Sequence, residues 1–212
     1  MFYKDPANIY RVQPLDEFDW LVHGFGTRDA RLPENLATLK QIHSTTCIAA
    51  EGRSGLLGEG DALLENAPGR VVAVKTADCI PVLLADVRNR AVAAVHAGWR
   101  GTVGRIAAGA VRAMAERYGT RPEDLRAMIG PGIGSCCYEV GPEVAGQFGY
   151  APNGRVHLDL PEANRRQLVE AGLEPEHIWV AGLCTMCRAE EFYSFRRERE
   201  HAGRMHSFIG LR

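Results

Sequence analysis

The sequence predicts an α/β fold in a single domain spanning residues 1–212. Short valine-rich apolar runs, bounded by polar residues or glycine, recur along the chain and read as buried strands. Two stretches carry helix signals, an amphipathic period from Thr102 onward and a capped segment over 159–171. No internal repeat, low-complexity linker or compositional break divides the 212 residues, a length that buries a substantial core as one unit.

The N-terminal segment to Pro33 gathers Phe18, Trp20 and Phe25 around HGFGTR, where His23 between Val22 and Gly24 suits a structural role. Leu36, Leu39 and Ile42 precede a strand over 45–50, and His43 falls at the junction. Residues 51–60 are glycine-rich and read as a surface loop; Asp61 then precedes an apolar pair and a turn at 67–69. The centre of the chain is VVAVKTADCIPVLLADVRNRAVAAVHAGWRGTVG, with strands over 71–74, 80–85 and 91–95. The first of these leads into Cys79 and the last ends at His96, so strand ends deliver both side chains.

From Thr102 the positions Val103, Ile106, Ala107, Ala110, Val111 and Met114 follow a helical period, and Gly119 supplies the stop. The free N–H groups of such a helix, with Arg100 beside them, favour an anion; a structural carboxylate partner for Arg100 is equally compatible. Thr120 and Glu123 have capping-box spacing around Pro122. AMIGPGIGSCCYEVGPEVAGQF reads as a strand, a glycine-rich turn, a cysteine pair and a short helix from Pro142. Its glycines match neither a dinucleotide fingerprint nor a phosphate loop. HIWVAGLC reads as a strand running into Cys184. FYSFRRERE, with alternating aromatics and a mixed charge run, reads as a solvated edge from which Arg196 and Arg197 reach an anionic ligand.

A formal net charge of −1 argues against broad electrostatic binding to nucleic acid or to an anionic membrane. MFYKDPANIY lacks the apolar core of a signal peptide and no run is long enough to span a bilayer, so a cytoplasmic location is expected. In a reducing compartment the six cysteines, Cys47, Cys79, Cys136, Cys137, Cys184 and Cys187, are expected as free thiols or metal ligands. CTMC has the look of half a zinc ribbon, but the adjacent Cys136 and Cys137 have the wrong spacing for its other half, which counts against a four-cysteine structural site.

His43, Cys79 and His96 form a set that suits zinc, with a fourth position left for water. The same residues allow a Cys79 nucleophile activated by His96, or copper bound by two histidines and a cysteine. Seven histidines with no H-x-H pair disfavour a multicopper oxidase cluster. Spacing alone leaves these readings open, because only the fold can bring the three residues together.

QIHS, GDALL, KTADCIPVLLAD, AAVHAGWRGT, IGPGIGSCCYEVG and LCTMC…FYSFRRE…GRMHSFIGL together resemble the YfiH-like, laccase-domain family, over nearly the whole chain. Its members are described variously as polyphenol oxidases, purine nucleoside phosphorylases and peptidoglycan editing factors. The resemblance implies mixed sheets covered by helices and a metal triad at His43, Cys79 and His96, carrying Zn2+ or alternatively Cu2+. It also implies phosphorolysis of adenosine, inosine, guanosine and methylthioadenosine, and hydrolytic deamination of adenosine, a reaction for which zinc-activated water is suited. Expected partners are therefore purine nucleosides and phosphate. On this reading Arg100 is the phosphate candidate, Arg196 a further substrate contact, and Asp78 or Asp61 the proton shuttle or an orienting group. Two departures bear on selectivity: the segment between HGFGTR and NLATLKQIHS is shortened, and EREHAGR replaces a shorter acidic–glycine turn.

Overall fold

The computed structural model describes residues 1–151 and 154–212. In chain order the elements are β1 (Phe2–Lys4), β2 (Ile9–Val12), β3 (Leu21–Gly26), β4 (Ala37–Lys40), β5 (Cys47–Ala49), β6 (Gly55–Glu59), β7 (Ala62–Glu65), β8 (Val71–Thr76), β9 (Ile80–Asp86) and β10 (Ala91–Ala97). There follow α1 (Trp99–Val103), α2 (Ile106–Tyr118), β11 (Leu125–Ile129), β12 (Glu139–Val140), α3 (Pro142–Ala145), β13 (Val156–His157), α4 (Leu160–Glu170), β14 (Ile178–Val180), α5 (Phe195–Glu198) and β15 (Met205–Leu211).

Every residue of β9 and β10 is buried, as continuous apolar runs require when both faces of a strand are covered. Alternation along these strands builds two cores. Ile80, Val82, Leu84, Ala93 and Val95 face Ile106, Ala110 and Met114 of α2 and Leu160 and Leu168 of α4. Leu83, Ala85, Val92 and Ala94 face Phe25, Val72, Val74 and Ile209 of the opposing sheet. The result is a mixed α/β domain in three layers, helices on one sheet and that sheet on a second.

The helix-covered sheet has the order β14-β11-β9-β10-β7-β5 and the other β1-β2-β3-β15-β8-β4-β6. Both are mixed: β4 runs parallel to β6 and β8, and β5 parallel to β7, among antiparallel neighbours. The C-terminal strand β15 lies inside its sheet between β3 and β8. Consecutive strands β8 and β9 belong to different sheets. Residues 77–79 therefore cross the core, and Cys79 sits at that crossing.

Five expectations change. The 51–60 segment is not all loop, because β6 extends the edge of its sheet beside β4. The helical period from Thr102 is broken: α1 ends at Val103, and Arg105, with φ +62°, separates it from α2. A side chain at Gly104 would lie 2.4 Å from Thr45 Cγ2, so this turn is pressed against the segment that follows His43. The strand expected to reach Cys184 ends at Val180. FYSF is not all solvated edge: Phe192 is fully buried and Ser194 caps α5, while Phe195 is exposed. The Thr120 capping box does not form: Arg121 is the N-cap of the single turn over Pro122–Asp124, with no side-chain cap bond, and Thr120 Oγ1 is buried without a partner among the described residues. The helix over 159–171 and the stop at Gly119 hold, since Asp159 accepts the Glu162 N–H at 2.9 Å and Gly119 closes α2 at φ +68°. Among the described residues no helix is long and apolar enough to cross a membrane.

His23 is buried in β3, where its Nε2 accepts the Val12 N–H at 3.0 Å, so it is structural and neutral. Burial pushes its imidazole down from 6.5 to about 4, and the Arg11 guanidinium adds to the push. Between those values the unfolded chain binds a proton that the folded chain refuses, so stability falls as the pH falls through that window, by about 3 kcal/mol at the limit. His23→Gln, which keeps an acceptor for Val12, is expected to flatten the dependence of the urea midpoint on pH across the same window. An unchanged slope would place the acid sensitivity in another group.

Candidate metal centre and pocket

The antiparallel register of β7 and β10 pairs Ala62 with Val95 and so carries Asp61 opposite His96. Asp61 is fully buried, and its carboxylate gathers the centre. Its Oδ1 meets His96 Nδ1 at 2.8 Å and accepts the His43 N–H at 3.0 Å. Its Oδ2 accepts the Ser44 N–H at 2.6 Å, the Ser44 hydroxyl at 2.7 Å and the Ile42 N–H at 3.3 Å. One side chain thus fixes the His96 ring and the turn that presents His43. With Nδ1 committed to Asp61, the free nitrogen of His96 is Nε2, the arrangement that prepares a histidine for a metal.

The ligand atoms of His43, Cys79 and His96 all lie within 4.8 Å of one another. The two imidazoles meet edge to face, with ring centroids 4.9 Å apart. The backbone is unusual on both sides: His43 has φ +58° and Asp78 has φ +87°, in the left-handed region that residues with a side chain rarely occupy. Such strain persists where surrounding contacts hold it, and here those are the hydrogen bonds to Asp61 and Asp78. Two imidazole nitrogens and one thiolate converging on one point form a donor set that fits zinc with one position open.

Burial alone would raise the Asp61 carboxyl, but the hydrogen bonds from His96 and Ser44 outweigh it and hold it down at about 2. Burial likewise opposes charge on Cys79 and His96, and their mutual hydrogen bonding, with His43 and Asp61, reverses both effects. The thiol comes down to about 6 and the imidazole goes up to about 9. Without metal, Cys79 is therefore a thiolate at neutral pH, ready to act as a soft ligand.

The three residues stand at one wall of a pocket of about 720 Å³. Asp78 and Arg100 line it, as does Arg196, whose guanidinium lies over the Tyr138 ring at 5.3 Å and donates to the Glu139 carbonyl at 3.0 Å. Asp78 is the only carboxylate among the described lining residues. It accepts from Thr185 Oγ1 at 2.6 Å, Ser194 Oγ at 3.0 Å and the Arg196 N–H at 2.6 Å, which ties the C-terminal loops to the centre. Arg100 stacks on Trp99 at 4.3 Å and forms no ion pair among the described residues.

The helix N-terminus next to His96 belongs to the five-residue α1, while the long α2 begins beyond the break, so the anion-binding helix expected from Thr102 is not built there. The positive charge comes instead from side chains. Lys75, Arg100, Arg196, Arg199 and Arg204 line the pocket with no carboxylate within ion-pair distance among the described residues. Sequence reasoning missed Lys75, Arg199 and Arg204, and the aromatic walls Trp99, Tyr138 and Phe195. The altered EREHAGR segment was a usable signal, because Arg199 and Arg204 both lie in it. Arg197, by contrast, is structural, donating to the carbonyls of Thr185, Met186 and Phe192.

Gly98 makes the convergence possible. A Cβ there would stand 3.0 Å from Cys79 Sγ and 3.1 Å from His43 Cδ2, while its backbone, at φ −68°, is one any residue adopts. Gly98→Ala is therefore expected to fold and to lose at least about tenfold in metal affinity at this centre, since displaced ligands no longer share one ion. Competition with a chromophoric chelator measures the loss, and an undiminished affinity would show that the close approach is not required.

The family described as multi-copper polyphenol oxidoreductase laccase matches residues 26–212. The chain is 43% identical over 186 residues to a purine nucleoside phosphorylase of Deinococcus radiodurans, covering 84% of this chain and 71% of the relative. It is 40% identical over 163 residues to adenosine deaminase RL5 from an unknown prokaryotic organism, covering 71% of this chain and 61% of the relative. Among solved structures, the YfiH protein of Bacillus licheniformis superposes with a TM-score of 0.91 at 29% identity, covering 100% of this chain and 99% of the other. The three-layer architecture, the pocket and these likenesses agree, and the chain belongs to the YfiH-like laccase-domain family.

Proposed function

We propose that this protein is a zinc-dependent purine nucleoside phosphorylase that also deaminates adenosine. Its substrates would be adenosine, inosine, guanosine and methylthioadenosine, each split by phosphate into free base and a sugar 1-phosphate. The observation that carries this reading is one pocket holding both a two-histidine, one-cysteine centre and five cations without an acidic partner among the described residues. Relatives named purine nucleoside phosphorylase and adenosine deaminase support it.

His43, Cys79 and His96 would hold the zinc. When bound there it supplies a Lewis acid with an open position and lowers the pKa of water. Arg100, which lines the pocket, would receive phosphate, and Lys75, Arg199 and Arg204 would raise the local positive potential that attracts it. Trp99, Tyr138 and Phe195 offer apolar ring surface for a purine. Asp61, with both oxygens engaged, orients His96. Asp78 has one oxygen, Oδ1, with a single hydrogen bond, so it keeps an acceptor position there and is our candidate for moving the proton. A second reading, an amide hydrolase using Cys79 and His96, is favoured by the thiolate–imidazolium character of that pair.

Product analysis of metal-assayed protein with adenosine, with and without phosphate, separates these readings. Phosphate-dependent adenine and phosphate-independent inosine are expected, both lost on chelation and in Cys79→Ala. No product from zinc-loaded protein at millimolar adenosine would overturn the nucleoside reading, and hydrolysis of an amide substrate that survives chelation would establish the alternative. Arg100→Ala is expected to raise the apparent KM for phosphate at least about tenfold, the loss of one charge-assisted contact. An unchanged KM for phosphate would remove Arg100 from that role.

A further inference from the structure

We propose that Cys136, Cys137, Cys184 and Cys187 form a second zinc site, a closed four-thiolate clamp on the two loops beside the pocket. The spacing of these residues in sequence counts against such a site, yet the fold brings all four sulfurs within 4.8 Å of one another. Cys187 Sγ lies 3.4 Å from Cys137 Sγ and 3.7 Å from Cys136 Sγ. A tetrahedral ion with Zn–S bonds of about 2.3 Å separates its sulfurs by about 3.8 Å, so the observed edges suit a single zinc ion. Oxidation would consume these thiols as one disulfide or two, whereas a single soft ion engages all four reduced sulfurs at one point. The thiols are free, and Cys136 and Cys187 are exposed, so an ion has a path in.

The adjacent cysteines succeed where a ribbon spacing is absent because they sit in a tight turn. The Cys137 and Tyr138 N–H groups both return to the Gly134 carbonyl at 2.9 Å. Opposite them, the Gly134 N–H donates to Cys184 Sγ at 3.3 Å, the kind of amide contact that a thiolate accepts. Gly132 and Cys184 form a parallel bridge that fixes the two loops side by side. Neither loop belongs to a long helix or strand, and an ion between them supplies cohesion that apolar packing does not.

The clamp reaches the pocket through its neighbours. Tyr138, directly after Cys137, lines the pocket, and Thr185, directly after Cys184, donates to Asp78 beside Cys79. The four-thiolate ion therefore acts in positioning and does not touch substrate. This inference is independent of the substrate assigned to the pocket.

The test is metal stoichiometry on protein expressed and purified with zinc, reading bound metal per chain and the Co2+-exchanged spectrum. Two ions per chain are expected in the native protein. Cys79→Ala is expected to keep one, whose Co2+ form shows thiolate-to-cobalt charge transfer with four sulfur ligands; Cys184→Ser/Cys187→Ser is expected to keep the other. Should the double variant fail to fold, native protein against Cys79→Ala still decides. One ion per native chain that disappears in Cys79→Ala would overturn the proposal. So would a mass short by two or four hydrogens with peptide mapping that places the disulfides among these four cysteines.

Discussion

The hydrogen bonds converging on the buried Asp61 carboxylate are the constraint on which the rest of the centre depends. Three amide N–H groups, one hydroxyl and one imidazole meet two oxygens, and a charge so satisfied is tolerable in an interior that would otherwise reject it. The same bonds settle three separate matters. They choose the nitrogen that His96 offers, they hold His43 in a left-handed conformation, and they join strand β7 to the loop after β4. Removing the carboxylate would leave the His96 ring without its Nδ1 partner and the His43 turn without its acceptor. His96 is tied twice, since its own N–H also donates to the Asp61 carbonyl at 2.7 Å.

The two-sheet architecture explains why the third ligand arrives at the same point. Strands β8 and β9 are neighbours in sequence but members of different sheets, so the chain between them has to cross the interior. Cys79 lies at the end of that crossing, next to β9, whose register with β10 pairs Pro81 with His96 and Ile80 with Ala97. The register carries Gly98 up against the Cys79 sulfur, where a methyl group would press on Cys79 and His43 and displace them by a few tenths of an ångström. Close packing of backbone against ligand, and not any special conformation, is what a glycine supplies here.

Charge is distributed on the same principle of local concentration. A net charge of −1 describes a chain whose acids and bases nearly cancel, yet five cations without acidic partners among the described residues face one pocket. The surface ion pairs elsewhere, such as Arg165 with Glu162 and Arg121 with Asp124, use up much of the remaining acid. A concave site lined predominantly by positive charge focuses its field inward, so a nearly neutral protein can still attract an anion. Arg199 and Arg204 both come from the EREHAGR segment, which makes that segment a determinant of the pocket's field.

The sequence by itself determined the strands and most helices of the centre of the chain, because apolar periodicity, caps and glycine stops act over a few residues and are written locally. TADC, HAGWRG and QIHS likewise identified His43, Cys79 and His96 by resemblance, though their spacing could not show that they meet. Tertiary structure alone decided the strand register that sets Asp61 against His96, and the break at Gly104 and Arg105 that denies α2 a place at the site. It also decided the gathering of Cys136, Cys137, Cys184 and Cys187, which ribbon spacing argued against. Each of these depends on contacts between segments tens of residues apart, where the energy lies in packing and shared hydrogen bonds and no local pattern carries a trace of it.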